Sequence, residues 1–156
     1  MPLEVGDHAP DFTLPTGADE TVTLSEVLEE CDYAVVVFFP AVWSRPCSNE
    51  ASVINAVYDE IRRLGGCVLG VAPDNHPSTR AWSEELGLHF PVGSDFEPKG
   101  KVSHAFGVRH DAGVCERAQF IVDRQMTIRL AYVAPVDTSP GAQPILKALE
   151  ELSAGG

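Results

Sequence analysis

Cys47 closes the stretch Phe38-Phe39-Pro40-Ala41-Val42-Trp43-Ser44-Arg45-Pro46-Cys47, where a continuously apolar run gives way to residues with helical spacing. A cysteine in the first turn of a helix sits in the partial positive charge of the helix N-terminus, which favours the nucleophilic thiolate. Ser44, three residues earlier, brings a hydroxyl that can donate and accept. This grouping suits redox chemistry at a single sulfur, and the reduction of a peroxide is one such reaction. The thiolate would attack one oxygen of the O–O bond while the other leaves as hydroxide or alkoxide. Acidity alone is too small an effect. An ordinary thiol is about 3% ionised at pH 7, so lowering its pKa to about 6 gains roughly thirty-fold, or about 2 kcal/mol. The remainder must come from donors that hold the peroxide in line and stabilise charge as the bond breaks. The Ser44 hydroxyl and the Cys47 backbone N–H can serve, with a guanidinium from elsewhere in the chain. Pro40 would wall the pocket and limit water.

The elements that must position these groups can be read from periodicity. Tyr33 to Phe39 is apolar throughout and bounded by Asp32 and Pro40, as in a central strand covered on both faces. Ile54, Val57, Tyr58, Ile61 and Leu64 recur at helical spacing, which predicts one helix over 46–64 ended by Gly65-Gly66, with Pro46 tolerated in its first turn. Cys67 to Val71 reads as a second buried strand, Thr79 to Leu86 as a helix stopped by Gly87, and Lys99 to Phe106 as another helix. Ala118 to Val122 and Thr127 to Tyr132 alternate as a hairpin, and a last helix covers Pro144 to Leu152. Near the start, Val5 to Leu14 reads as a loop leading into a short strand with Thr21 to Leu24 as its hairpin partner, and Ser25 is the expected cap of a short helix. A strand–helix–strand unit implies parallel pairing with a right-handed crossover, and the hairpin adds antiparallel strands. The fold class expected is therefore α/β, a thioredoxin-like fold with a mixed central β-sheet flanked by helices on both faces. No repeat or linker divides it, so a single domain over 1–156 is expected.

The pattern Pro40-x-x-x-Ser44-x-x-Cys47 resembles the active-site motif of the peroxiredoxin family, with Ser in place of the usual Thr. Val5-Gly6-Asp7-His8-Ala9-Pro10-Asp11-Phe12, Glu50, and Arg117-Ala118-Gln119-Phe120-Ile121-Val122-Asp123 are similar to that family as well. Ser94 to Gly100 followed by Ala105-Phe106-Gly107-Val108 resembles the one-cysteine alkyl hydroperoxide reductase E type. The resemblance implies that Cys47 is the peroxidatic cysteine, that Arg117 and Ser44 activate it and polarise the substrate, and that Pro40 shields the sulfenic acid. It also implies that Glu50 orients the arginine and Trp82 flanks the pocket, although core packing is the more ordinary use of such a tryptophan. Ser keeps the hydroxyl but loses the methyl that restricts the Thr rotamer. The partners implied are a peroxide substrate, an external thiol or thioredoxin- or glutaredoxin-like reductant, and further copies of the chain in a homodimer or higher homo-oligomer.

The four cysteines are Cys31, Cys47, Cys67 and Cys115, with no C-x-x-C pair. A disulfide framework is not expected, and Cys31 and Cys67 read as core or near-surface thiols. Cys115, two residues before Arg117, would share its side of an extended segment, which makes it the internal candidate for a resolving cysteine, although an inert thiol is the more ordinary reading. The histidines show no ligand spacing, and no phosphate-binding glycine loop occurs, so neither a metal nor another cofactor is expected. A net charge of −12, from 23 acidic against 11 basic residues, argues against nucleic acid and anionic membrane as partners. Only Lys99, Lys101 and Lys147 are lysines, which fits adaptation to high salt as well as an ordinary acidic protein. No apolar run approaches the roughly 20 residues that span a bilayer, and the N-terminus lacks the pattern of a signal peptide, so a cytoplasmic protein is expected. Two rivals stand beside the peroxidase. A thiol–disulfide oxidoreductase of the same fold would carry a cysteine where Ser44 stands and a proline where Arg117-Ala118 begins the facing strand. A non-enzymatic redox sensor would use Cys47 without turnover.

Overall fold

The computed structural model describes residues 1–110, 113–135 and 137–155. A hairpin of β1 (Thr13–Gly17) and β2 (Glu20–Thr23) precedes α1 (Leu24–Glu30). The main sheet then builds from β3 (Tyr33–Phe38), β4 (Gly66–Ala72) and β5 (Val92–Ser94), with α2 (Arg45–Ala56), α3 (Tyr58–Arg63) and α4 (His76–Leu86) between them. After α5 (Lys101–Ala105), β6 (Arg117–Asp123) and β7 (Ile128–Ala134) form a hairpin, and α6 (Gln143–Gly155) closes the order. The sheet runs β5-β4-β3-β6-β7. β3 pairs parallel with β4 and antiparallel with β6, so it is the central strand the apolar run implied.

Successive strand residues point to opposite faces, and the core divides accordingly. Ala34, Val36 and Phe38 of β3 join Ala118, Phe120 and Val122 of β6 on one face, under α1 and α5. Val35 and Val37 join Ile121 on the other, under α2, α3, α4 and α6 through Cys47, Ile54, Ile61, Trp82 and Leu149. Covering both faces is what allows β3 to be apolar at every position.

Four local features differ from the periodicity. The helix expected over 46–64 is broken at Val57 (φ −108°, ψ 18°), giving α2 and α3, because apolar spacing continues across a residue that leaves helical geometry. Strand β5 is only three residues long, too short for a period to show. The cap of α1 is Thr23 rather than Ser25, and the Ser25 hydroxyl instead donates to Asp11 Oδ2 at 2.7 Å. The helix expected from Lys99 begins at Lys101, where Asp95 accepts the backbone N–H groups of Val102 and Ser103 at 3.0 and 2.9 Å.

Cys31 and Cys67, expected as separate thiols, are joined as a disulfide with 6.0 Å between their Cα atoms. Cys31 ends the approach to β3, and Cys67 is the second residue of β4. Parallel pairing of Tyr33 with Gly66 and Ala34 with Cys67 brings the two together across a separation of 36 residues. Neither residue type nor spacing reveals such a long-range register.

Candidate active site

Cys47 lies in the first turn of α2, and Ser44 is the N-cap. The Ser44 Oγ accepts the Cys47 backbone N–H at 3.4 Å and donates its own hydrogen to the Ala41 carbonyl at 2.8 Å. Ser44 therefore does two things at once: it satisfies a first-turn N–H and ties the helix start to the loop leaving β3. That loop is strained in one place, for Trp43 takes a left-handed φ of 74°, and its indole N–H reaches Ser78 Oγ at 3.1 Å. The Val42 N–H is held by Asp74 Oδ1 at 3.1 Å. Burial raises the Asp74 carboxyl above the ordinary range against the pull of these backbone donors.

Arg117 opens β6, and its side chain crosses beneath α2 to meet Cys47. One terminal nitrogen donates to Cys47 Sγ at 3.4 Å and to Glu50 Oε1 at 2.7 Å. The arginine and the glutamate are almost completely enclosed, at 1% and 0% exposure. Glu50 is held from its second oxygen too, by Gln119 Nε2 at 2.9 Å, and the same amide nitrogen donates to the Gly141 carbonyl at 2.9 Å. Because Arg117 and Gln119 are alternate residues of β6, the strand presents both to α2. Gln119 was not foreseen as a site residue, although its two-residue offset from Arg117 was the available signal.

The electrostatics of this chain of contacts follow from its burial. Desolvation pushes the Glu50 carboxyl up, while the hydrogen bonds from Arg117 and Gln119 push it back. Desolvation also works against the charge on Arg117, but Cys47 and Glu50 more than offset it, so the arginine is held above its ordinary value. With donors on both carboxylate oxygens, we treat the pair as ionised. A buried ion pair of this kind costs desolvation that its Coulomb attraction does not reliably repay. Its presence beneath a cysteine therefore points to chemistry rather than to stability.

The other expected residues separate into two groups. Pro40 is buried at the end of β3 and lines a surface cleft with Ala41, Asn75, Phe96 and Val114. Trp82 is fully buried behind the site, edge-on to Phe39 with ring centroids 5.2 Å apart, and its N–H reaches Ser48 Oγ at 3.0 Å. It supports the helix that carries Cys47. Arg45, beside Cys47 in sequence, is exposed. Cys115 does not follow Arg117 to the α2 face. It lies ahead of β6, bridges to Arg109, and packs into the opposite core cluster with Phe106 and Phe120. The two-residue offset fails there because the segment before Arg117 is not a regular strand. Burial above all, and then the negative charge of Cys47, push the Cys115 thiol far up.

Residues 5–131 match the family model described as AhpC/TSA family. Alkyl hydroperoxide reductase E of Mycobacterium tuberculosis (strain ATCC 25618 / H37Rv) is 35% identical over 130 residues, covering 83% of this chain and 84% of its own. The 2-cysteine peroxiredoxin, chloroplastic, of Chattonella marina var. antiqua is 30% identical over 162 residues, covering 97% and 82%. Among solved structures, Mycobacterium tuberculosis AhpC superposes with a TM-score of 0.87 at 25% identity, over 99% of this chain and 96% of that one. Peroxidoxin BcpB from the same organism gives 0.83 at 26% identity, over 97% of each.

Proposed function

Since the chain belongs to the AhpC/TSA family of peroxiredoxins and is a thiol-dependent peroxidase, we propose that Cys47 is the sulfur that carries the reaction, with Arg117 and Ser44 as its partners. The observation that carries this reading is the buried contact of Arg117 Nη1 with Cys47 Sγ at 3.4 Å at the start of α2.

The proposed sequence of events uses each group once. The Cys47 thiolate attacks one oxygen of a hydroperoxide, the O–O bond breaks, and the distal oxygen leaves as hydroxide or alkoxide. Arg117 donates to the oxygen on which charge develops, and in a dry site such a donor is worth about 10²- to 10³-fold in rate. Glu50 holds the guanidinium and is itself held by Gln119, so little reorganisation is needed as charge forms. Ser44 gives its hydrogen to Ala41 and accepts the Cys47 N–H, so what it can offer a substrate is the remaining lone pair of its oxygen, as an acceptor. It would orient the peroxide O–H. The cleft beside Pro40 is the approach, and Pro40 would keep bulk water from the product sulfenic acid.

Return of the sulfenic acid to the thiolate needs two electrons from two thiol equivalents. One thiol condenses with the sulfenic acid to a mixed disulfide and releases water, and a second attacks that disulfide and releases Cys47. Cys115 is poorly suited to act as the first, being buried in the opposite core cluster with its thiol held protonated. An external thiol or a thioredoxin- or glutaredoxin-like protein is therefore the proposed reductant, in a protein proposed to act as a homo-oligomer. Steady-state consumption of hydrogen peroxide and of an organic hydroperoxide with dithiothreitol as donor tests this. Turnover by wild type and by Cys115→Ser, and none by Cys47→Ser, is expected. Loss of turnover in folded Cys115→Ser would make Cys115 the resolving thiol instead.

A further inference from the structure

The end of the sheet remote from Cys47 carries a second sulfur site. Cys31 and Cys67 sit at the N-terminal ends of β3 and β4, whereas Cys47 lies beyond the C-terminal end of β3. Six residues of strand separate the two ends, on the order of 20 Å, so no thiol can pass directly from one site to the other. The Cα spacing of 6.0 Å is in the usual range for a pair that can close without moving the backbone. The two sulfurs differ in access, since Cys31 is buried at 5% exposure while Cys67 is half-buried.

A guanidinium is placed on both of them. Arg62 of α3 brings Nη1 into contact with Cys31 Sγ and Cys67 Sγ. A second guanidinium lies nearby, that of Arg124, which donates to the Cys31 carbonyl at 3.2 Å and faces the Asp32 carboxylate at 3.6 Å. A disulfide is neutral and gains little from a cation, whereas a thiolate gains a great deal. The arrangement therefore suits a pair that spends part of its time reduced.

We propose that Cys31 and Cys67 form a second redox couple, independent of the peroxidase site, that exchanges with small thiols and disulfides. In the oxidising direction the Cys67 thiolate attacks one sulfur of a low-molecular-weight disulfide, forms a mixed disulfide and expels one thiolate. The Cys31 thiolate then attacks the Cys67 sulfur and expels the second. Two protein thiols lose two electrons and two protons, and the small disulfide becomes two small thiols. Arg62 acts on the first step by holding Cys67 as thiolate.

The test uses full-length protein in a Cys47→Ser background, equilibrated in oxidised and reduced glutathione at a series of ratios, then acid-quenched, alkylated and read by intact mass and peptide mapping. The expected result is a reversible loss of two alkylatable thiols, both mapping to Cys31 and Cys67, within the accessible range of ratios. With Cys31→Ser added, a single glutathione adduct accumulates on Cys67, and the adduct forms much more slowly on Cys31 when Cys67→Ser is the change. Arg62→Ala slows adduct formation at pH 7 by about five- to ten-fold, with the difference closing at alkaline pH where Cys67 ionises unaided. A bridge that persists in reduced glutathione alone would make it a fixed structural disulfide. Thiols that remain free in oxidised glutathione alone would remove the couple altogether. Either result overturns the proposal, as does an Arg62→Ala effect that is equal at all pH values.

Discussion

At the scale of single residues, the candidate site brings together a cation, a carboxylate and a hydroxyl whose proposed roles can be separated. Arg117→Ala would strand Glu50 as an uncompensated buried charge, at a cost of about 3–5 kcal/mol in stability. Arg117→Lys keeps the charge and is the cleaner variant, though a lysine cannot bridge Cys47 and Glu50 with the same planar geometry. Ser44 is also separable. Its replacement by Ala removes the α2 cap, costing about 1 kcal/mol, and removes the acceptor proposed to orient the peroxide. Replacement by Thr restores a methyl that limits the side-chain rotamer. Steady-state peroxidase rates are expected to rank Ser44→Thr above wild type and Ser44→Ala below it; equal rates in all three would exclude Ser44 from the mechanism.

At the scale of elements, β6 is what joins the site. Its alternation sends Arg117 and Gln119 to α2, while Ala118 and Phe120 fill the opposite core. Gln119→Leu would leave Glu50 Oε2 and the Gly141 carbonyl without their donor inside the protein, which is expected to cost about 1–3 kcal/mol by chemical denaturation. The peroxide rate should fall as well, but less than with Arg117→Lys; an unchanged stability would show that Gln119 does not support Glu50. The strands and helices that hold Cys47 and Arg117 were legible because they carry long apolar runs or clear alternation. The break at Val57, the three-residue β5 and the Cys31–Cys67 pairing were not. The first two depend on backbone geometry that leaves no period, and the third depends on which strands become neighbours. The same limit explains Cys115, whose proximity to Arg117 in sequence said nothing about a segment outside the strand. Gln119 is an intermediate case: its face was legible, but its partner was not.

At the scale of the whole molecule, charge and burial act on stability in the same direction. Burial raises the carboxyls of Glu50, Asp74 and Asp95. A carboxyl raised in the folded state binds protons there that the unfolded chain has already released, so stability rises as pH falls through the raised values. The gain stops once the unfolded carboxyls protonate too. The net charge of −12 adds self-repulsion at neutral pH that mild acid relieves. Thermal unfolding in low salt is therefore expected to show a higher Tm near pH 5.5 than near pH 7.5, and a lower one at mild acidity would contradict the sign. Molar potassium chloride should raise the Tm at neutral pH if the acid-rich, lysine-poor composition reflects salt adaptation, and no gain would count against that adaptation. The central claim, that the folded molecule makes Cys47 a peroxide-reducing sulfur through Arg117, is tested most directly by stopped-flow oxidation of the reduced protein with hydrogen peroxide. Wild type is expected to react orders of magnitude faster than a free thiol, and folded Arg117→Lys about 10- to 100-fold more slowly than wild type. A wild-type rate no greater than that of a free thiol, or an Arg117→Lys rate equal to wild type, would contradict it.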